Sequence, residues 1–339
     1  MGDIDISVKN FIKIDSVFAQ LFSQGVYGGQ VEIDPDKLQE FDTVSQDALP
    51  LENGKVKAME RLRDAEKVAM LFDHKVALQI IMGIEGQMGV HYYMPVRCME
   101  LDALTYSYQC KKISEKAKEN KKLKKYADGV PKGTKILPTV TLVFYTGSKP
   151  WDGPESVYDM LDIPEDMKEW MKHTTPDYRM NLIDARHMTD EKIDRFDGDL
   201  KAFLLMLRDR FDREKLKSVV AMHRETWYAI SKVKNDKRYA EYIDHVSDEE
   251  MAGGVNMDAA LDYMIAEGEA RGEARGEARG EARGEARGEA RGEAKGAEKV
   301  NRLGLLLSEV GRTNDFLKSL SDKGLQKQLF VEFGLEEAK

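Results

Sequence analysis

The apolar positions of this chain follow a helical period first, then an alternating one, then a helical one again. Phe11, Ile14, Phe18, Leu21 and Phe22 recur at helical spacing and predict an amphipathic helix over residues 9–24, closed by Gly25, Gly28 and Gly29. The stretch up to residue 56 is rich in Asp, Gln and Pro without a sustained period, so an irregular connection with short helical pieces is expected. The period then drops to two. Val68, Met70 and Phe72 alternate, and Asp73-His74 offers a turn. Val76, Leu78, Ile80, Met82 and Ile84 then alternate on one face, with Ala77, Ile81 and Gly83 on the other. This predicts a β-hairpin whose second strand is buried on both faces.

Helical spacing returns between Tyr92 and Ile113, where Pro95 falls in the first turn and Val96, Met99, Leu101, Leu104 and Tyr108 form the expected apolar face. Ile136–Tyr145 is rich in β-branched and aromatic residues and bounded by Gly133 and Gly147, which predicts a strand, and Asn181–Asp184 suggests a shorter one. Residues 189–265 read as helical. Phe203, Leu204, Leu207, Phe211, Trp227, Tyr228 and Ile230 are their core candidates.

Beyond this lies a tandem repeat, seven copies of a four-residue unit from Gly268-Glu-Ala-Arg271 to Gly292-Glu-Ala-Lys295. Glycine costs a helix about 1 kcal/mol relative to alanine, and in this repeat every i, i+4 pair of charged residues has like sign. A period of four also drifts about 40° per repeat against 3.6 residues per turn, so no stripe stays against one partner. The segment reads as a solvated, partly helical spacer, with flexible disorder as the competing account. Val300, Leu303, Leu307 and Val310, then Phe316, Leu317, Leu320, Leu325, Leu329, Phe330 and Phe333, predict a short helical tail that must pack on a partner copy or on the main domain. The expected boundaries are 1–188 for a core, 189–266 for a helical subdomain, 267–298 for the spacer and 299–339 for the tail.

Composition narrows the classes. The 339 residues suffice for a sizeable core, no apolar run approaches the ~18 residues of a membrane span, and the first residues lack the pattern of a secretory signal, so a cytoplasmic protein is expected. Cys98 and Cys110 lie 12 residues apart on one expected helix, too far to bridge, and are read as free thiols. The six histidines form no i, i+4 pair, which leaves a zinc site without support. A net charge of -9 argues against a wholly basic nucleic-acid surface, yet Lys111–Lys125 holds eight lysines against Glu115 and Glu119. That run is either a solvated face or a phosphate-contacting one, with Lys111, Lys112, Lys118, Lys121, Lys122 and Lys125 as the candidates.

Candidate chemistry sits at the end of the predicted hairpin. Ile80–Gln87 is an apolar run ending in an acid and an amide, and period-two alternation puts Glu85 and Gln87 on one face where the strand meets solvent. A strand that merely stops at polar residues is the ordinary reading, and a site for a metal or a water is the sharper one. Asp64 precedes the first strand, so the hairpin would return it towards Glu85.

The order of these pieces resembles the PD-(D/E)XK nuclease family transposases, the recombination-promoting nuclease (Rpn) group. The matching residues are Arg63-Asp64, Gly83–Gln87, His91–Arg97, Asp102–Tyr106, Leu137–Tyr145 and Trp151–Pro154, and the charged repeat and the tail around Ser321-Asp322-Lys323 are similar too. The resemblance implies an α/β (α+β) fold, a restriction-endonuclease-like mixed sheet flanked by helices with a helical C-terminal extension. It further implies an Mg²⁺-dependent DNA endonuclease in which Asp64 and Glu85 hold the metal and Gln87 stands where many relatives outside the group carry lysine. Gln20 and Ser23 depart from the acid and amide common in the group's first helix, and Asp15 is a further carboxylate nearby. The alternative is a degenerate nuclease fold that binds DNA or self-assembles through its tail without cleaving.

Overall fold

The computed structural model describes residues 3–41, 48–50, 56–58, 63–73, 76–119, 130–208 and 212–336. The expected turn residue His74, the core candidate Phe211, and Lys121, Lys122 and Lys125 lie outside them, as does the side chain of Lys118. No helix among the described residues is long and apolar enough to cross a membrane.

The first apolar stretch forms two helices, α1 (Asp3–Ile12) and α2 (Asp15–Gln20), followed by one wider turn over Leu21–Val26. Phe11, Phe18, Leu21 and Phe22 are all fully buried, as their spacing predicts. Strands β1 (Glu32–Ile33) and β2 (Gln39–Glu40) both pair with β3 (Ala65–Asp73), which forms the predicted hairpin with β4 (Val76–Gln87). In that hairpin Ala65 stands opposite Ile84 and Asp73 opposite Val76.

Helix α3 (Met94–Glu119) then crosses over to β5 (Thr139–Tyr145), which runs parallel to β4 with Glu85 opposite Val143 and Gln87 opposite Tyr145. Strand β6 (Asn181–Asp184) adds a second parallel pairing on β5. The result is a mixed sheet in the order β1-β3-β4-β5-β6, flanked by helices, the architecture the resemblance implies.

Strand parity divides the sheet into two faces. Ile80, Met82 and Ile84 of β4 join Leu142 and Phe144 of β5 in a core with α1, α4 (Gly198–Leu207) and α5 (Arg224–Lys234). Phe11 and Phe203 stack there with ring centroids 4.4 Å apart. Residues of the expected 189–266 subdomain thus share one core with the sheet. On the other face Val143 meets Met94 and Cys98 of α3, backed by Met180.

Three sequence expectations shift. In β3 the residues directed into the larger core are Ala65, Lys67, Ala69 and Leu71, while Val68 and Met70 are only half-buried, because a buried lysine and glutamate obscure the alternation. The early part of β4 is not buried on both faces, with Leu78 half exposed. On α3 the inward stripe is Met94, Cys98, Leu101, Asp102 and Thr105 rather than one containing Met99, which is 38% exposed.

The chain divides into two units, residues 1–264 and 265–339. Helix α6 (Met257–Glu309) contains the whole Gly-Glu-Ala-Arg repeat, which is helical throughout rather than partly so. Its glycines from Gly272 to Gly296 have open space where a Cβ would stand, so no close approach within the chain calls for them. In the second unit Leu303 and Leu307 close a small core with Leu329 of α8 (Lys323–Glu332), Phe316 of α7 (Thr313–Ser319) and Phe333.

Candidate active site

The hairpin brings the backbone at Asp64 next to the segment around Glu85. The Asp64 backbone N–H donates to the Ile84 carbonyl at 3.2 Å, and the Gly86 N–H donates to Asp64 Oδ2 at 2.9 Å. The acid just before β3 is thereby pinned to the end of β4. From α1, Lys9 reaches across to Asp64, its Nζ 2.9 Å from Oδ1.

Glu85 does not meet solvent, contrary to the expectation for a strand end: it is 0% exposed, on the face covered by α3. The reason is the register, since β5 extends alongside β4 as far as Gln87, so Glu85 lies within a paired strand. Arg97, one turn into α3, donates to Glu85 Oε2 from Nε at 2.9 Å and approaches it with Nη2 at 2.8 Å. Glu85 Oε1 is buried with no hydrogen-bond partner among the described residues. Burial pushes this carboxyl up to about 7; the Arg97 charge opposes the shift and the Asp64 charge adds to it.

Gln87 follows at the half-buried end of the strand, its carbonyl accepting from the Thr146 N–H at 2.8 Å. The candidate trio therefore shares one end of β4, with only Glu85 buried. Asp15 is directed elsewhere: its Oδ1 lies 2.5 Å from Lys67 Nζ, on the α1 side of the sheet. Gln20 exchanges two hydrogen bonds with Asp197, at 2.6 and 2.9 Å, which gives the amide a structural role.

Beside the acid pair lies a buried polar cluster that sequence periodicity missed. Arg63 donates from Nε to Thr141 Oγ1 at 3.1 Å and from Nη1 to Thr105 Oγ1 at 2.7 Å. It also bonds Asp102 Oδ1 through Nη2 at 2.5 Å and Glu66 Oε1 through Nη1. Thr141 and Tyr178 complete the set by donating to the two oxygens of Asp102, each at 2.6 Å. Burial raises the Glu66 carboxyl above its ordinary range, against the pull of Arg63. The available signal was Asp102 and Thr105 at i, i+3 on an otherwise apolar helix face, together with an arginine next to Asp64.

The donor set suits a small hard cation. Carboxylates with water filling the remaining positions are the usual protein ligands of Mg²⁺, and a buried carboxylate oxygen without a partner is a place for one. No group of three or more His, Cys, Asp or Glu side chains is poised for a metal among the described residues.

Of the candidate phosphate contacts, Lys111 and Lys112 are exposed on α3, with Lys112 3.5 Å from Glu115 and 5.5 Å above the Tyr108 ring. At 1.5 Å rise per residue, Lys111 stands about 21 Å along the helix from Arg97. The lysines thus flank the acids rather than join them.

Residues 118–237 match the family model described as "Putative transposase, YhgA-like". The matched span takes in β5, β6, α4 and α5 and lies C-terminal to Asp64, Glu85 and Gln87. Neither the curated proteins nor the solved structures include a match.

Proposed function

From the match of residues 118–237 to the YhgA-like putative transposase model and from the carboxylates at the end of β4, we propose that this chain is a Mg²⁺-dependent DNA endonuclease. The observation that carries the reading is Glu85 Oε1, a buried carboxylate oxygen without a partner at the strand end that also fixes Asp64. A buried ionisable group raised to about 7 is expensive to keep for structure alone, and such groups concentrate where chemistry is done.

Asp64 and Glu85 would hold the cation, which supplies charge stabilisation at a phosphate oxygen and an activated water. Arg97 keeps Glu85 oriented with Oε1 facing away from its own guanidinium. Gln87 has an amide that can donate to a phosphate oxygen or hold the water, with no charge of its own. The α3 lysines contribute sequence-independent attraction to the backbone of a bound duplex.

Incubating the protein with supercoiled plasmid and Mg²⁺ tests this. Nicking or linearisation that disappears in Asp64→Asn and Glu85→Gln is the expected outcome. An inert wild type, or cleavage that survives both substitutions, would sink the nuclease reading and favour a DNA-binding or self-assembling role.

The tail suggests an additional property, association of the protein with its own copies. Leu305, Val310, Leu317 and Leu320 of the second unit are 68%, 57%, 58% and 55% exposed. Four apolar side chains so open on a unit with so small a core favour a covering partner.

A further inference from the structure

The two acids of the site are each met by a cation from a different helix, and the two cations are held unequally. Arg97 places two nitrogens on one oxygen of a fully buried carboxyl, at 2.9 and 2.8 Å. Lys9 meets Asp64 Oδ1 at 2.9 Å, the two side chains 18% and 11% exposed, while the Arg97 side chain is itself 33% exposed above its buried acid. A guanidinium is planar and fixed by its fork of donors, whereas an ammonium is a compact, strongly hydrated charge on a flexible stem. By that chemistry the Lys9 ammonium exchanges its partner more readily than the Arg97 guanidinium does.

The backbone around it is fixed. Val8, Phe11 and Ile12 of α1 are buried against the sheet, so Lys9 can move only by its side chain. Gly86, whose N–H holds Asp64 Oδ2, sits under the same helix, with its Cβ position 3.7 Å from Ile12 Cδ1 and 3.8 Å from Val8 Cγ1. One oxygen of Asp64 is therefore tied to the strand, and the other faces the lysine.

Resting on the reading of the acids as a cation site, we propose that Lys9 is a built-in counter-ion at Asp64 Oδ1, displaced by the incoming divalent cation and turned towards the substrate's phosphate. The charge count supplies the logic. With Glu85 ionised, as cation binding requires, the two carboxylates, Lys9 and Arg97 sum to zero. Adding a divalent cation while Lys9 stays on its helix leaves an excess of two positive charges, which a phosphodiester backbone relieves. Cation binding and polyanion binding then reinforce one another, and Lys9 is the element that couples them.

The experiment is a Mn²⁺ titration of the full-length protein, read by the paramagnetic signal of free Mn²⁺, with and without a phosphorothioate duplex. Lys9→Gln should bind Mn²⁺ alone on the order of fivefold more tightly than wild type, because the Lys9–Asp64 ion pair no longer competes. Lys9→Arg should keep the wild-type affinity or weaken it, and the tightening by duplex seen in wild type should shrink in Lys9→Gln. Lys9→Ala, a good helix former, serves as a second variant should Lys9→Gln fold poorly.

Mn²⁺ binding that Asp64→Asn weakens but Lys9→Gln and Lys9→Ala leave unchanged would overturn the counter-ion and leave the cation site standing. Absence of Asp64-dependent binding in wild type and both Lys9 variants would overturn the cation site and the counter-ion together. Binding that emerges only when Lys9 is removed would be the strongest support.

Discussion

Arg63 lies directly across Gly83: a Cβ added to that glycine would stand 2.0 Å from Arg63 Cδ and 2.5 Å from its Nε. Two residues before Glu85, the strand thus gives up its side chain to let a buried guanidinium cross it. The arginine cannot step aside, since its donors are committed to Thr141, Thr105, Asp102 and Glu66.

Gly83→Ala should accordingly behave as an overpacked core substitution, destabilising the protein by about 1–3 kcal/mol. Urea unfolding measures it. An unchanged midpoint would mean that Arg63 has freedom this geometry denies.

Arg63→Met should be more severe, because it leaves Glu66 and Asp102 buried without their cation, a loss of about 3–5 kcal/mol near neutral pH. Its pH dependence is diagnostic. Burial already raises the folded-state Glu66 carboxyl, and without Arg63 it rises further, so the folded form binds more protons than the unfolded one. Stability is then lost as pH rises and recovered as pH falls. The gap between variant and wild type should narrow from pH 8 to pH 5, and a gap independent of pH would contradict the account.

Glu85 makes an analogous prediction for the wild type. Its folded-state value of about 7 exceeds the ordinary carboxylate value, so protons are released on unfolding wherever the pH lies between the two. Stability should therefore decline as pH rises from about 5 to 7 and level off above, by an amount on the order of 1–3 kcal/mol. Glu85→Gln should remove that decline and be the more stable protein at pH 8. Parallel pH profiles for the two proteins would refute this.

For the tail, replacing the exposed Leu317 and Leu320 by glutamate should leave the fold intact, since neither side chain belongs to the Leu303, Leu307 and Leu329 core. Light scattering should show the wild type as a multimer and the double variant as a smaller species. Equal masses would dismiss these residues as the contact.

The hairpin, β5 and the buried aromatic face of α1 and α2 were readable from periodicity, because each buries side chains of one kind at one spacing. The approach of Asp64 to Glu85 followed from the hairpin for the same reason. What escaped was polar and buried. Lys67, Glu66, Asp102 and Thr105 interrupt the apolar patterns of β3 and α3, and only tertiary partners explain their burial. Lys9 escaped, and Arg97 was legible only as part of a motif and not as the partner of Glu85, because both approach the acids from helices, at sequence distances that no local pattern encodes. The repeat was misjudged in the other direction: its glycines weaken a helix on average, yet a chain of residues with few alternative contacts keeps helical hydrogen bonds through it.

The arginine cluster carries a consequence for the order in which this end of the sheet is assembled during synthesis. Asp64 and Glu85 leave the ribosome early, but the arginine adjoining Asp64 is clamped only after Asp102 of α3, then Thr141 of β5, and lastly Tyr178 have emerged. Because domains acquire their tertiary contacts as units, a nascent chain cut short before Tyr178 has both acids without the scaffold that sets their spacing. The carboxylate pair is thereby set in its final surroundings only once the sheet is complete.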